Sequence, residues 1–569
     1  MTDVAAHFPP ALRERIRRRL GFLYGEYQAG PLTGHLLDKL AGFAPDVHFP
    51  SATLWDAGDV LLITYGDSIR QPAEAPLHTL HRFLTERLAG CFSSVHILPY
   101  FPYSSDDGFA VIDYLEVDPA LGHWPDVERI AVDFKLMTDL VINHVSSRHA
   151  WFQNYLRDLE PGRDYFIEVD PATDLSMVVR PRTTPLLTRF ETVRGPRWVW
   201  TTFSPDQIDV DFRNPKVLFE YLDILLFYLA RGSRLIRLDA IAYLWKKIGT
   251  PCIHLPETHE VVKLLRDVVD QVAPGTLLIT ETNVPHAENV GYFGQGDEAH
   301  VVYQFPLPPL VLHALYHGSA EYLNRWAARL EPPPAGCTFL NFLACHDGIG
   351  LRPLEGLIPP REIEQLVAGM ERLGGLVSWR TTADGGKAPY EINITWFSAM
   401  QGTCRGRDAL ALERHRCAHA IMLALQGTPA FYVLSLFGTE NDLEAVHRTG
   451  APRALNRHKW DLRRLTSRLA DPESPQAQVL SQLTALIALR RKQPAFHPDA
   501  SQRIPDLGPA VFAVERNCPD QRLLALHNVT PEPRRLKLPP GTWHELISGS
   551  AVADTCELLP YGVAWLSQA

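Results

Sequence analysis

Several short apolar runs in this chain end in a charged or imidazole side chain. Asp139 and His144 flank the end of one run, Arg237 and Asp239 close another, Glu281 closes a third, and His346 with Asp347 closes a fourth. A charge inside an apolar run is costly to bury unless it is paired or put to use. Any one of these acids alone reads as a cap or an ion pair. Three at successive run ends, two of them beside Arg or His, read as one functional pocket. Paired carboxylates suit glycoside chemistry: one attacks the anomeric carbon and the other protonates the leaving oxygen. Asp239 follows Arg237 by two residues, so alternation places both side chains on one face of a strand. The cation is expected to lower the Asp239 pKa and keep it ionised, as a nucleophile requires. Glu281 has no cation beside it in sequence, so its pKa is expected to rise, which suits a proton donor.

Such residues meet only if the runs converge. The apolar runs are VLLITYG (60–66), SVHILPYF (94–101), LMTDLVINH (136–144), RLIRLDAIAY (234–243), TLLITETN (276–283), VVYQF (301–305), FLNFLACHD (339–347) and TPAFYVLSL (428–436), separated by helical patterns. Eight β-rich runs of this kind predict an α/β fold, a closed (β/α)₈ TIM barrel over 56–504, whose strand C-termini share one site. Nearly ninety residues separate the third run from the fourth, which predicts an inserted subdomain at 145–210, because loops this long are usually functional. A second insertion is expected at 352–410, carrying the Gly-rich stretch TTADGGKAPYE as a mobile loop. The helix at 478–493 is expected to close the barrel. The tail, 505–569, alternates and turns often, and reads as a small antiparallel β domain. Residues 1–55 read as a helical extension with patterns near 10–29 and 31–43; its Arg13, Arg15, Arg17, Arg18 and Arg19 read as a wet helix face.

Composition agrees with a large soluble enzyme. The chain has 569 residues, 46% hydrophobic and 21% charged, with a net charge of −10. This excludes a disordered, collagen-like or coiled-coil chain and gives no general attraction for nucleic acid. No apolar run approaches the ~20 residues of a membrane helix, and the N-terminus lacks the apolar core of a signal peptide. The eight cysteines form no CxxC pair and no zinc spacing, which suits reduced thiols in a cytoplasmic protein. His96, His123, His313 and His419 read as structural or surface residues, and Lys246-Lys247 as a solvent-facing pair.

Four stretches, DLVINH (139–144), IRLDAIAY (236–243), ITETN (279–283) and ACHDG (344–348), resemble the conserved regions of the α-amylase superfamily, glycoside hydrolase family 13, in family order. The resemblance implies Asp239 as nucleophile, Glu281 as general acid/base and Asp347 as the acid that holds sugar hydroxyls and favours the distorted transition state. His144, Arg237 and His346 would line the glucose subsite. Further stretches, including HILPYFPYSSDDGFAVIDY, VVRPRTTPLL, GTENDLEAV and ALNRH, resemble the sucrose phosphorylase subfamily. There Asp106 and Arg457 would clamp the far hydroxyls of glucose, with Phe203 and Tyr243 as apolar walls. No metal and no cofactor is implied; inorganic phosphate is a co-substrate.

On the acceptor side the chain departs from the sucrose phosphorylase pattern. The subfamily's Tyr-Gln pair reads Tyr390-Glu391, and the tract after Asp239 reads AYLWKKIGTPCIHL. The extension, PYEIN and ITETNVPH look most like the glucosylglycerate phosphorylase branch. That likeness implies conversion of 2-O-α-D-glucosylglycerate and phosphate to α-D-glucose 1-phosphate and D-glycerate, with action on sucrose, sucrose 6-phosphate or glucosylglycerol as the alternative. Arg180 and Arg182 are candidates for the acceptor anions, because Arg forks match carboxylate and phosphate. Glu391 either accepts glycerate hydroxyls or orients an Arg. The expected partners are these small molecules, with no nucleic acid and no membrane. The extension either packs on the barrel or mediates a homodimer.

Overall fold

A computed structural model describes residues 8–43, 53–382 and 386–568. Part of the expected extension, at 44–52, and the tip of the Gly-rich loop, at 383–385, lie outside the described residues. Eight parallel strands close into a barrel: β1 Leu61–Thr64, β2 Ser94–Ile97, β3 Lys135–Val141, β4 Ser233–Asp239, β5 Leu277–Thr280, β6 Val301–Tyr303, β7 Thr338–Phe342 and β8 Thr428–Tyr432. Closure is made by β8 on β1, with Leu61 opposite Ala430. Each strand falls on one of the eight apolar runs, with β3, β4 and β7 beginning one residue before theirs. They read as continuous rather than alternating runs because barrel strands are buried on both faces, inside by their neighbours and outside by helices; in β1 and β5 every residue is buried.

The strands are shorter than the runs, and the remainder of several runs is where the acids sit. β4 ends on Asp239 itself, Glu281 follows β5 directly, and His346 and Asp347 lie a few residues beyond β7. His144 begins a short strand, His144–Ser146, that pairs antiparallel with Gln207–Asp209, His144 opposite Asp209. This pairing closes the base of the segment inserted between β3 and β4. The segment carries the hairpin Leu187–Thr192 with Gly195–Trp200. An apolar cluster of its own forms around Trp200, with Ile167, Val169 and Leu186. Between β7 and β8 a three-stranded sheet places Lys387–Asn393 between Ile349–Gly350 and Leu376–Thr381.

The N-terminal helices are α1 Pro10–Tyr24 and α2 Glu26–Gly42. The break falls at Gly25 rather than near residue 30. Gly25 has φ +87, which ends one helix at no steric cost, while Pro31 is carried inside α2 at the loss of one donor. The arginine stretch is only partly a wet face. Leu12, Ile16, Leu20 and Leu23 are buried at helical spacing, and Arg19 is buried with them. Its guanidinium meets Asp267 at 2.8 Å and Glu260 at 3.2 Å on α3, Pro256–Val272. Arg15 joins Asp267 at 3.0 Å. Tyr24 Oη donates to the Phe212 carbonyl at 3.0 Å, so the extension is fastened to the outside of the barrel.

The helix Pro475–Arg490 ends the barrel, and a six-stranded antiparallel sheet follows: β9 Ser501–Arg503, β10 Val511–Cys518, β11 Gln521–Asn528, β12 Arg534–Glu545, β13 Ser550–Leu558 and β14 Val563–Gln568, in spatial order 9-10-11-14-12-13. Two buried arginines join the parts. Arg490 donates to the carbonyls of Leu423, Ala57 and Phe496, and Arg516 to those of Ala424 and His497. Among the described residues no helix is long and apolar enough to cross a membrane.

Removing one partner of a buried ion pair costs about 3–5 kcal/mol because the other charge is left uncompensated. Arg19→Ala should therefore lower the thermal unfolding temperature by several degrees, whereas Arg18→Ala, on the exposed face of the same helix, should leave it unchanged; equal effects in calorimetry would refute the clamp.

Candidate active site

The site is organised by the register of three neighbouring strands. Asp139 on β3 lies opposite Arg237 on β4, and Arg237 lies opposite Ile279 on β5, two residues before Glu281. Arg237 consequently faces three carboxylates. It is ion-paired with Asp139, meets Asp239 Oδ1 at 3.0 Å and stands 3.9 Å from Glu281 Oε1. Asp139 is completely buried and takes a second partner, His96 Nε2, at 2.7 Å. His96 and Arg237 bring its carboxyl down to about 2 against the cost of burial. His96 is thus a buried structural histidine. The residue after Asp239, Ala240, is left-handed (φ 54), and its N–H donates to Glu281 Oε2 at 3.3 Å. Non-glycine residues in this conformation concentrate at functional sites.

Asp239 and Glu281 form one titrating pair. Burial pushes the Asp239 carboxyl well above its ordinary range, with Glu281, Asp139 and Asp347 adding repulsion and Arg237 opposing. Burial also raises Glu281, with Asp347 adding to the rise. The rise expected for Glu281 is present. The lowering expected for Asp239 is corrected: one arginine spread over three carboxylates offsets the rise without reversing it. Arg237 acts more strongly on Asp239, at 3.0 Å, than on Glu281, at 3.9 Å.

Asp347 has the opposite balance. Burial opposes ionisation, but Arg453, Arg457 and Arg237 hold its carboxyl below the ordinary range. Arg453 Nη1 lies 2.7 Å from Asp347 Oδ1 and 3.8 Å from Asp106. The Arg453 fork is taken by Glu391, at 2.9 and 3.1 Å. Arg457 donates from Nε to the His346 carbonyl, pairs with Asp107 at 2.6 Å and stands 3.8 Å from Asp106. The direct partner of Arg457 is thus Asp107, while Asp106 faces the cavity. Asp106 and Asp107 are both left-handed, with φ 53 and 47.

The walls complete the cavity. His346 stacks on Phe109 at 4.7 Å and is kept neutral by burial and by Arg457, Arg237 and Arg453. His144 Nε2 donates to the Phe109 carbonyl at 2.9 Å, and burial likewise lowers its pKa. Phe203 meets Tyr243 edge-on at 5.5 Å. Arg182 lies between Tyr390, at 5.1 Å from its ring, and Phe203, at 5.9 Å. Among the described residues no carboxylate lies within ion-pair distance of Arg182.

Most of the expected residues line this single cavity: Asp239, Glu281, Asp347, Asp106, His144, His346, Phe203, Tyr243, Arg182, Tyr390 and Glu391. Arg237 lies beneath its floor, and Arg457 lines an outer chamber that opens from it. Arg180 is not at its surface; its guanidinium is bonded to the Thr184 carbonyl. Lys246 is buried instead of solvent-facing, meeting both Asp209 and Asn143 at 2.6 Å, and only Lys247 is exposed. Sequence reasoning missed Arg453, Gln207 and Asn283, which also line the cavity. Arg453 stands four residues before Arg457, which was a usable signal.

A carboxyl whose pKa is raised by folding stabilises the fold below its unfolded value, near 4, and loses that contribution as pH rises through the folded value. Glu281→Gln removes this penalty. Its melting temperature should exceed that of the parent at pH 8 and converge with it near pH 4; a gap independent of pH would contradict the paired titration.

The α-amylase catalytic-domain family matches residues 91–327. The chain is 47% identical to a glucosylglycerate phosphorylase of Allomeiothermus silvanus, covering 98% of this chain and 99% of that one. It is 33% identical to a sucrose phosphorylase of Agrobacterium vitis over 80% of this chain and 93% of the relative. A solved structure of sucrose 6F-phosphate phosphorylase from Thermoanaerobacter thermosaccharolyticum superposes with a TM-score of 0.73 at 28% identity, covering 84% of this chain and 96% of that one. A closed (β/α)₈ barrel with an acidic cavity at its strand ends and relatives this similar over nearly the whole length lead to one conclusion: the chain belongs to the α-amylase superfamily, glycoside hydrolase family 13, within its phosphorylase group.

Proposed function

We propose that the chain is a retaining glycoside phosphorylase that converts 2-O-α-D-glucosylglycerate and phosphate to α-D-glucose 1-phosphate and D-glycerate. The observation that carries this reading is Arg182. It is a cavity-lining cation with no carboxylate partner among the described residues, held between two aromatic rings in a cavity otherwise rich in acids. An anionic acceptor needs such a group, since guanidinium matches both carboxylate and phosphate. A hydrolase, whose acceptor is water, has no use for an unpaired arginine there.

In this reading Asp239 attacks C1 while Glu281 protonates the departing glycerate oxygen, giving a β-glucosyl-enzyme. Phosphate then replaces glycerate beside Arg182 and attacks C1, with Glu281 taking its proton. Two inversions give net retention. Asp347 and Asp106 hold glucose hydroxyls, as do His144 and the neutral His346, while Phe203 and Tyr243 exclude water from the intermediate. The reaction needs no cofactor beyond its co-substrate phosphate. All eight cysteines are free, which suits the reducing cytoplasm.

The reading is tested by phosphate-dependent release of glucose 1-phosphate from glucosylglycerate, sucrose and glucosylglycerol in parallel. Release from glucosylglycerate is expected to dominate and to fall about 10⁴-fold in Asp239→Ala. Release mainly from sucrose or glucosylglycerol would overturn the acceptor, and free glucose formed without phosphate would overturn the phosphorylase. Loss of a charge-assisted hydrogen bond costs about 1.5–3 kcal/mol. Arg182→Ala should therefore raise KM for phosphate and for glycerate about 10–100-fold; unaltered KM values would remove Arg182 from the acceptor site.

A further inference from the structure

Glu391 lies on the acceptor side by sequence, next to Tyr390, yet its bonds run to the donor side. It sits in the strand Lys387–Asn393, opposite Gly350 and Ser378, and is 1% exposed, so water offers its carboxylate no alternative partner. Both oxygens are engaged by the fork of Arg453, Nε at 2.9 Å and Nη2 at 3.1 Å. The remaining nitrogen, Nη1, reaches Asp347 Oδ1 at 2.7 Å. The guanidinium thus holds Glu391 in the bidentate geometry that fixes direction as well as distance, and meets Asp347 by a single ion contact. A second contact runs parallel to the first. A Cβ added at Gly348, the residue after Asp347, would lie 2.9 Å from Glu391 Cγ, so the backbone carrying Asp347 rests directly on the Glu391 side chain.

A carboxylate with its fork occupied has little left to offer a glycerate hydroxyl, and an unneutralised one would repel both acceptor anions. We infer that Glu391 is a positioning residue: through Arg453 and through Gly348 it sets the place of Asp347, so that the acceptor-side strand fixes the carboxylate that acts on the glucosyl ring. This deepens the proposed function and rests on it for the role of Asp347. A glutamine at 391 would present a single oxygen and no charge. Arg453 would then keep at most one of its two bonds to residue 391, and the direction of its Nη1 would no longer be fixed by a fork.

The test separates donor from acceptor effects with α-D-glucosyl fluoride. When Asp239 attacks this donor, the C1–F bond breaks as the Asp239–C1 bond forms, and fluoride leaves without recognition by an acceptor site. Misplacement by about 1 Å costs on the order of 10²-fold in rate. In Glu391→Gln the fluoride burst should slow by about that factor, phosphorolysis of glucosylglycerate should slow equally in kcat, and KM for phosphate and glycerate should stay at the parent values. Arg453→Lys, which keeps the charge and loses the fork, should reproduce the pattern and stands in should Glu391→Gln lose its melting transition. A fluoride burst at the parent rate in both variants would overturn the inference, whatever happens to KM for glycerate. Failure of the functional reading is separately visible, because the unsubstituted enzyme would then release no glucose 1-phosphate from glucosylglycerate while the fluoride burst still reports on Asp347.

Discussion

One guanidinium, Arg237, has to balance three carboxylates at the buried floor of the cavity. Asp139 is fully buried and Asp239 nearly so, and like charges at such separations are tolerated only through a shared cation. The barrel supplies that arrangement through register. Parallel neighbours set Asp139 level with Arg237, place Arg237 and Asp239 on one face of β4, and let Glu281 arrive one residue past β5. A slip of one residue in any of these strands would turn a charge into the outer helical layer. The apolar content of the strands, their parallel pairing and the closure of β8 on β1 all serve to keep that register.

Around this core the protein spends its cations unevenly. Arg453 and Arg457 face the acids of what the proposed reading makes the ring-binding side, where Asp347 is held ionised and Asp107 is paired. Among the described cations of the cavity, Arg182 alone is left to aromatic neighbours. Charges on the donor side are therefore settled before substrate arrives, while the acceptor side keeps one cation uncommitted. That asymmetry suits an enzyme whose two acceptors, glycerate and phosphate, are both anions and whose donor ring is neutral.

The barrel and the acidic trio were legible in the sequence because both depend on local signals: continuous apolar runs for buried strands and acids at their ends. The stretches DLVINH, IRLDAIAY, ITETN and ACHDG carried the site residues to their places. What was not legible depends on partners distant in the chain. Arg453 has no meaning until the turn at 452–456 meets the strand at 387–393, and Arg457 could not be given Asp107 over Asp106 without the left-handed turn that carries both. Lys246 read as a surface lysine because Asp209 and Asn143 come from the inserted segment. Arg19 looked wet because its acids lie on α3, some 240 residues later. The net direction for Asp239 was misread because proximity in sequence reported the attraction of Arg237 and not the burial or the other acids.

The arginines at the seam between barrel and C-terminal sheet bear on how the molecule comes apart. Among the described residues Arg490 and Arg516 form no ion pair; main-chain carbonyls from the end of the helix before β8, from the turn at 494–497 and from Ala57 at the chain's entry to β1 take that place. Peeling the sheet away would withdraw the Arg516 donors from the Ala424 and His497 carbonyls and bring water to a buried guanidinium. The seam therefore does not fray in small steps. The strands β1 and β8, which close the barrel, share their opening with the C-terminal sheet, and an all-β domain far from the chemistry becomes a lock on the ring of strands that holds Arg237 in register.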